Sequence, residues 1–300
     1  MSGILVQLIP IFIYFAIGLA LRKLAVANTS QGEFMLRFVF YVTLPLLILT
    51  SLSRTPMTLD KAWLPLANIS VNFACMLVAL LVVKFLVLDR KTTGTMLVST
   101  MIVNNTFMFP FILAVYGEQS FTDAVLFDFG NALLMATYVH ALAFRYGGED
   151  YSPWSRLIKI IKSPLIWALL LGVIMSITGI RLPQQVVDIV GPLGQMTGPL
   201  ILVALGIFFS LSLADLKLVS LTVLIRMGMG LLFGIAIANY LDLGDSTFIV
   251  VVLCSGAPIG FNALTFSSLA KLDTQLSSSA VSVSVLAGLI YIPLLMLMFS

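Results

Sequence analysis

The residues best suited to hold a ligand are amides and hydroxyls near the centres of two long apolar runs. They are Asn104, Asn105, Thr106, Ser255 and Asn262. Residues that interrupt helices lie beside them, namely Pro110, Gly256, Pro258 and Gly260. Proline lacks a backbone donor, and freed backbone groups in lipid are tolerated where they line a cavity. Half-helices that begin there would point positive dipole ends at one place, which suits an anion. We therefore predict that these polar residues, with Pro258, bind a substrate.

Other polar side chains also lie within apolar runs, where an ionisable group is by default a functional candidate. Asp128 either carries a coupling proton or braces helices through hydrogen bonds. Arg226 lies about 12 Å inside its run at 1.5 Å per residue. It serves as an anchor, attracts an anionic substrate or pairs with Asp128.

We expect His140 to place a polar tip at the membrane interface. Small residues in the last run predict close helix packing, with lining of the cavity as the alternative: Ser277, Ser278, Ser279, Ser282 and Ser284.

The composition of the 300 residues excludes several classes of protein. Hydrophobic residues make up 60% of the chain and charged residues 10%, against roughly 45–50% and about 25% in soluble domains. A soluble enzyme, a nucleic-acid binder and a disordered chain are therefore excluded. Two cysteines and one histidine offer neither a disulfide framework nor a ligand set for a metal, and we predict no cofactor.

Ten apolar runs are each long enough to cross a membrane as a helix, for which about 20 residues suffice. The runs are 3–21, 36–53, 63–88, 93–116, 122–144, 163–180, 187–211, 218–241, 246–269 and 276–299. The fold class is therefore an all-α integral membrane protein with ten transmembrane helices. The first run lacks the basic residues that precede a signal peptide, so we expect it to be a membrane helix.

The distribution of Lys and Arg predicts the orientation, because basic residues mark the cytoplasmic side. Only Arg54, Lys61 and Arg181, of the 16 basic residues, fall on the side of the N-terminus. Both termini are therefore expected outside. The segment Trp154–Lys162 alternates basic and aliphatic residues; it is either a cytoplasmic loop or a helix lying along the membrane surface.

Weak internal similarity divides the ten helices into two sets of five. Predicted helices 2 and 7 each carry a threonine two residues before a proline, at Thr43 and Thr197. Predicted helices 4 and 9 are rich in helix breakers at the same place in their sets. Because five is odd, the second set must be inverted relative to the first. We predict repeats at 1–144 and 163–300, joined by a cytoplasmic linker at 145–162, with helices 4 and 9 broken and crossed.

These motifs resemble the auxin efflux carrier family, within the bile acid/auxin/arsenite type of transporters. The resemblance covers essentially the whole chain: LPLLILTSL in helix 2, NNT…P…YG in helix 4, Asp128, Gly130 and Asn131 in helix 5, and Pro258 to Ala263 in helix 9. It implies a scaffold of helices 1, 2, 6 and 7 and a transport bundle of helices 3–5 and 8–10. It also implies a homodimer in the cell inner membrane. The family's asparagine precedes the helix-4 proline by seven residues, where this chain has Val103, so Asn104 and Asn105 are alternative holders of its role.

The function predicted from these features is secondary transport of a small organic anion by alternating access. The resemblance implies a carboxylate such as malate or malonate, or an auxin-like acid. A proton or sodium is the expected coupling ion. One alternative is a sodium-coupled carrier like the bile acid symporters, and another is a membrane sensor that binds a metabolite. Membrane lipids are further predicted partners, and no nucleic acid is expected. The chain lacks a recognisable catalytic set, so we predict no enzyme.

The distribution of basic residues generates a direct test of topology. A cysteine introduced at 147–151 should react with a membrane-impermeant thiol reagent only from the cytoplasmic side. Labelling of intact cells from outside would contradict the predicted topology and, with it, the orientation of both repeats.

Overall fold

The computed structural model describes residues 2–55, 59–148, 163–209 and 215–299. Within these ranges the chain is helical and forms no β-strand beyond one isolated bridge. The segment Trp154–Lys162 and most of the predicted linker lie outside the described residues.

The helices follow one another with short connections. The α-helices are α1 (Ser2–Lys23), α2 (Thr29–Phe38), α3 (Leu44–Leu52), α4 (Leu64–Val83), α5 (Arg90–Met101), α6 (Asn105–Leu134), α7 (His140–Gly147), α8 (Pro164–Thr178), α9 (Gln184–Gln195), α10 (Thr197–Phe208), α11 (Leu216–Val223), α12 (Gly230–Tyr240), α13 (Asp245–Ser255), α14 (Asn262–Leu269) and α15 (Thr274–Met298). Single π-helical stretches join α2 to α3, α6 to α7 and α11 to α12: Val39–Thr43, Met135–Val139 and Leu224–Met229. A 3-10 turn, Leu59–Trp63, precedes α4.

Seven helical stretches among the described residues are long and apolar enough to cross a membrane. They are Val6–Lys23, Thr29–Leu52, Lys61–Val83, Asn105–Gly147, Gln184–Phe208, Leu216–Tyr240 and Thr274–Met298. Two shorter apolar helices, α8 and α13, correspond to predicted helix 6 and to the first half of predicted helix 9. Large apolar side chains such as Leu81, Leu232 and Ile290 are exposed, which suits a surface bathed in lipid.

Gly117 marks the boundary between predicted helices 4 and 5, which follow each other in one continuous helical stretch. Its φ of 77° and ψ of −172° interrupt α6 between 116 and 118. This backbone region is accessible essentially only to glycine. Gly117 therefore ends one helix and starts the next without a loop between them.

The chain forms two compact units, and the first comprises Met1–Lys61, Phe109–Val125 and Ile158–Phe209. In this unit the backbones of α1 and α10 are in direct contact. A Cβ on Gly18 would collide with the Val203 carbonyl, and a Cβ on Gly206 would collide with the Phe15 carbonyl. Small residues permit such close approach between membrane helices.

The two threonines of the weak repeat meet in the first unit. The Thr197 hydroxyl donates to the Thr43 hydroxyl at 2.9 Å, and both residues are buried. Positions that the sequence pairs by similarity are therefore also paired in space.

A buried ion pair lies in the same unit. The Lys61 Nζ atom is 2.7 Å from Asp123 Oδ1, and the two side chains are 6% and 0% exposed. The sequence pattern treats Lys61 as a loop charge, but the structure buries its ammonium group. Removing one partner of such a pair typically costs 3–5 kcal/mol, since the other charge stays buried.

The second unit comprises Ala62–Met108, Leu126–Leu157 and Ser210–Ser300. Here α4 packs on α5 and α12, α12 on α13, and α11 on α15. The ends of α6 belong to this unit, and Gly130 lets α6 approach the Pro65 carbonyl of α4. This unit contains the interruptions of predicted helices 4 and 9 and the polar residues around them.

Candidate functional site

Predicted helices 4 and 9 are both interrupted, and the two interruptions pair with each other. The first lies between α5, which ends at Met101, and α6, which starts at Asn105. The second lies between α13, which ends at Ser255, and α14, which starts at Asn262. Val103 and Ile259 form an antiparallel bridge. The Asn104 N–H donates to the Pro258 carbonyl at 2.8 Å and the Gly260 N–H to the Ile102 carbonyl at 3.0 Å.

Local sequence explains why each helix stops there. Ile102 adopts an extended backbone with φ −104° and ψ 109°. The Asn104 side chain then caps α6 by accepting the Phe107 N–H at 3.1 Å, which is a preferred role for asparagine. In the second break Pro258 offers no donor. A Cβ on Gly260 would lie 2.8 Å from the Ile102 side chain, so glycine lets the two backbones meet.

The prediction that Pro110 breaks helix 4 is wrong. Pro110 lies inside α6 and is buried, several residues beyond the interruption at 102–104. A proline here removes one backbone donor and crowds the preceding turn, but the helix continues past it. The break is set instead by the extended Ile102 and the capping side chain of Asn104. The other predicted breakers, Gly256, Pro258 and Gly260, lie between α13 and α14.

The last helix, α15, supports the second break. The Ile259 N–H donates to Ser284 Oγ at 3.0 Å, and this hydroxyl donates to the Val281 carbonyl at 2.8 Å. A Cβ on Gly288 would collide with the Pro258 ring at 2.5 Å. Small residues of α15 therefore act here through close packing and by satisfying a backbone group.

A carboxylate is tied to the first break. Asp128 Oδ1 accepts the side-chain amides of Asn105 and Asn131, each at 2.9 Å. The Asn131 amide also donates to the Val103 carbonyl at 3.1 Å. Asn105 and Asn131 are buried, whereas Asp128 is half-buried. The sequence-predicted residues Asn105, Asp128 and Asn131 thus form one hydrogen-bonded group at the start of α6.

Several buried polar atoms around the breaks lack a hydrogen-bond partner among the described residues. They are Asn104 Nδ2, Asn105 Oδ1, Asn131 Oδ1 and Ser255 Oγ. An unpaired buried polar group costs roughly 1–3 kcal/mol, and native proteins contain few of them. Four in one region offer donors and acceptors to a polar ligand.

Two predicted substrate-binding residues lie apart from this hydrogen-bonded group. Asn262 is exposed at the start of α14, and its amide lies 3.3 Å from the Met135 sulfur. Thr106 is half-buried in the first turn of α6. The structure therefore joins Asn105, Asp128 and Asn131 directly, while Asn262 contacts a thioether.

Arg226 is fully buried in the π-helical stretch between α11 and α12. It does not pair with Asp128. Its guanidinium donates to Asn72 Oδ1 at 2.6 Å, to the Thr100 carbonyl at 3.2 Å and to the Ser255 carbonyl at 2.5 Å.

Sequence reasoning missed Asn68 and Asn72, two asparagines in α4. The Asn72 amide donates to Asn68 Oδ1 at 2.7 Å, and both residues are buried. Their spacing of four within an apolar run places them on one helix face. That spacing is the sequence signal that could have identified Asn72 as a polar partner of the buried Arg226.

His140 differs from the expectation of a polar tip at an interface. It is 3% exposed, and its ring centroid lies 4.4 Å from that of Phe144 and 5.8 Å from that of Phe266. The imidazole is therefore part of an aromatic cluster in the second unit.

The start of α5 is fixed by Asp89, which lies in the connection before the helix. Its carboxylate accepts the Thr92 hydroxyl at 2.6 Å and the backbone N–H groups of Lys91 and Thr92. These hydrogen bonds, that of the Thr92 side chain above all, lower the pKa of Asp89 below its ordinary value. The cap is intact at neutral pH and is lost as the pH falls through that lowered pKa.

Comparison with known proteins agrees with a membrane protein of this kind. A family model described as "Membrane transport protein" matches residues 3–296. A protein of Methanothermobacter thermautotrophicus, named an uncharacterized transporter, is 28% identical over 296 residues, which cover 95% of each chain. An uncharacterized transporter of Methanocaldococcus jannaschii is 24% identical over 315 residues, covering 98% of this chain and 97% of that protein.

The support that α15 gives to the second break can be tested by deleting one hydroxyl. Ser284→Ala leaves the buried Ile259 N–H without its acceptor, so we expect a loss of about 1–3 kcal/mol in stability. Ser277→Ala is the matched control, because the buried Ser277 hydroxyl has no partner among the described residues. Thermal unfolding of the purified variants measures the difference, and equal melting temperatures would contradict the role of Ser284.

Proposed function

The chain belongs to the membrane transport protein family, the group that its auxin efflux carrier-like motifs resemble, and we propose that it moves a small organic anion. It is a multi-pass membrane transporter. The proposed mechanism is alternating access, in which the two interrupted helices hold the substrate near the centre of the membrane. The observation that carries this proposal is the paired break, with its cluster of unpaired polar atoms and one carboxylate.

The unpaired atoms suggest which ligand chemistry fits. Asn104 Nδ2 is a donor at the start of α6, where the helix dipole also favours negative charge. Asn105 Oδ1 and Asn131 Oδ1 are acceptors that lie beside Asp128. A substrate with a carboxylate and a hydroxyl or acid proton would satisfy both kinds of atom. This pattern supports a hydroxy or dicarboxylic acid, such as malate or malonate, over a purely apolar acid.

We extend the proposal to the architecture of two inverted five-helix repeats, 1–144 and 163–300, joined by a cytoplasmic linker. One pair of positions related by the repeat is in contact, Thr43 with Thr197, and the breaks of the repeat-related helices 4 and 9 are bridged by Val103 and Ile259. Residues close to a twofold axis meet their own equivalents, so these contacts support the symmetry. Helices 1, 2, 6 and 7 would form the scaffold of a homodimer in the cell inner membrane, with both termini outside.

The binding role of Asn105 is tested by removing its side-chain amide. A buried substrate hydroxyl or acid proton that loses its acceptor, Asn105 Oδ1, costs roughly 1–3 kcal/mol. Asn105→Ala should therefore weaken substrate binding about 10- to 100-fold. A thermal-shift screen of carboxylates and indole acids first identifies a ligand for the wild-type protein, and titration of that ligand then measures the loss.

The matched control for this experiment is Asn239→Ala. Asn239 is exposed on α12, and its amide donates to the Ile235 carbonyl of its own helix. Normal binding by Asn105→Ala, together with loss of binding by a variant in α3 or α10, would move the site away from the breaks.

Asp128 is proposed as the group that couples transport to a proton. Asp128→Asn retains the size of the side chain and removes its ionisation. In proteoliposomes, uptake driven by a pH gradient should fail, while substrate exchange persists. Gradient-driven uptake at the wild-type rate would assign Asp128 a bracing role instead.

Sodium coupling is the second candidate, and one observation favours it. The unpaired oxygens of Asn105 and Asn131 lie on residues bonded to the Asp128 carboxylate, and hard cations prefer oxygen ligands. Uptake by the wild-type protein with a sodium gradient, compared with a potassium gradient at constant pH, separates the two coupling ions.

A further inference from the structure

Arg226 brings together oxygen atoms from three different helices of the second unit. Its guanidinium contacts the Asn72 amide oxygen of α4, the Thr100 carbonyl of α5 and the Ser255 carbonyl of α13. Its exposure is 0%. Its partners among the described residues are neutral, so no carboxylate balances the buried charge.

The position of the two carbonyls supplies the missing negative charge. Thr100 lies in the last turn of α5, and Ser255 is the last residue of α13. The C-terminal end of a helix carries roughly half a negative charge on its unpaired carbonyls. Both helices end at the paired breaks, so two negative ends converge on one side chain. Arg226 compensates them together.

The surrounding chain is built to admit the guanidinium. Gly230 follows Arg226 by one helical turn, and a Cβ there would lie 2.6 Å from Arg226 Nη2 and would also collide with the Ser255 carbonyl. A π-helical stretch, Leu224–Met229, carries the arginine; such stretches occur often at functional sites. Carbonyl and amide oxygens at a pair of helix ends would also suit a small hard cation.

We propose that Arg226 is a tethered cation that occupies, between the C-terminal ends of α5 and α13, a position that would otherwise bind a dissociable monovalent cation. The inference deepens the proposed transport function, because the same two interrupted helices carry the substrate group. The charge at this position is then a permanent part of the protein. Removing the side chain should leave three oxygens that accept a small cation from solution.

Chemical rescue of Arg226→Ala tests this directly. The variant is purified with millimolar guanidinium chloride, which is then exchanged for choline chloride of equal ionic strength. The melting temperature should fall below that of the wild type in choline, and guanidinium should restore most of the loss in a saturable manner, as expected for a ligand that binds the folded state. The wild-type protein should show no such rise.

A matched control uses another arginine that binds helix carbonyls. Arg22 Nη1 donates to the Ile207 and Phe209 carbonyls at the end of α10, where one helix end is involved instead of two. Arg22→Ala should gain nothing from guanidinium. Equal rescue of both variants, or no rescue of a folded Arg226→Ala, would overturn the proposal.

A second variant adds a negative ligand at the same place. In Arg226→Ala/Asn72→Asp the cluster contains a carboxylate and two carbonyls, so sodium chloride should raise the melting temperature more than choline chloride does. Failure of both variants to fold in guanidinium or sodium would also contradict the proposal, because the ion should replace the lost charge. These readouts use protein without substrate, so they are independent of whether the chain transports an organic anion.

Discussion

Two backbone hydrogen bonds hold the centre of the second unit, one from Asn104 to Pro258 and one from Gly260 to Ile102. An interrupted helix in an apolar medium exposes peptide groups, and each unsatisfied group costs several kcal/mol. One break alone would leave such groups without partners. Two breaks side by side supply each other with a donor and an acceptor, and Ser284 of α15 receives a further N–H. The glycines and small residues nearby are needed because the backbones must come this close.

The same geometry determines where charge can be buried. An interrupted helix has two extra ends, negative where the first half stops and positive where the second half begins. Arg226 lies at the negative ends of α5 and α13, and Asp128 is bound through Asn105 at the positive start of α6. Each ionisable side chain thus meets a helix end of opposite sign, which is why two charged residues are tolerated in an otherwise apolar environment.

The sequence predicts the interruption of helix 9 well because glycine and proline act locally. Gly256, Pro258 and Gly260 limit the backbone whatever surrounds them, and the structure places all three between α13 and α14. Pro110 shows the limit of that rule, since it disturbs the preceding turn and yet α6 continues past it. The true break at 102–104 depends on a bridge to Ile259, a residue far along the chain.

Partners of buried charges were the least predictable feature. Arg226 stands out in the sequence, but its contacts come from α4, α5 and α13, and only the packing of these helices brings them together. Nothing in the sequence around Asp123 indicates that it forms the buried pair with Lys61. His140 likewise lies in an aromatic cluster that combines residues from α7 and α14. Depth within an apolar run indicates burial but not the neighbours.

The contact between Arg226 and Asn72 has a consequence for how the chain is made. The two residues are separated by 154 positions, and ribosomes add about 5–20 residues per second. Arg226 is therefore synthesised roughly 8–30 s after Asn72, and Gly260 follows Ile102 by a similar interval. Newly inserted helices from the first half of the chain hold polar groups in lipid throughout that interval. The polar groups at the break of the first half therefore find their partners only when the second half of the chain is in the membrane.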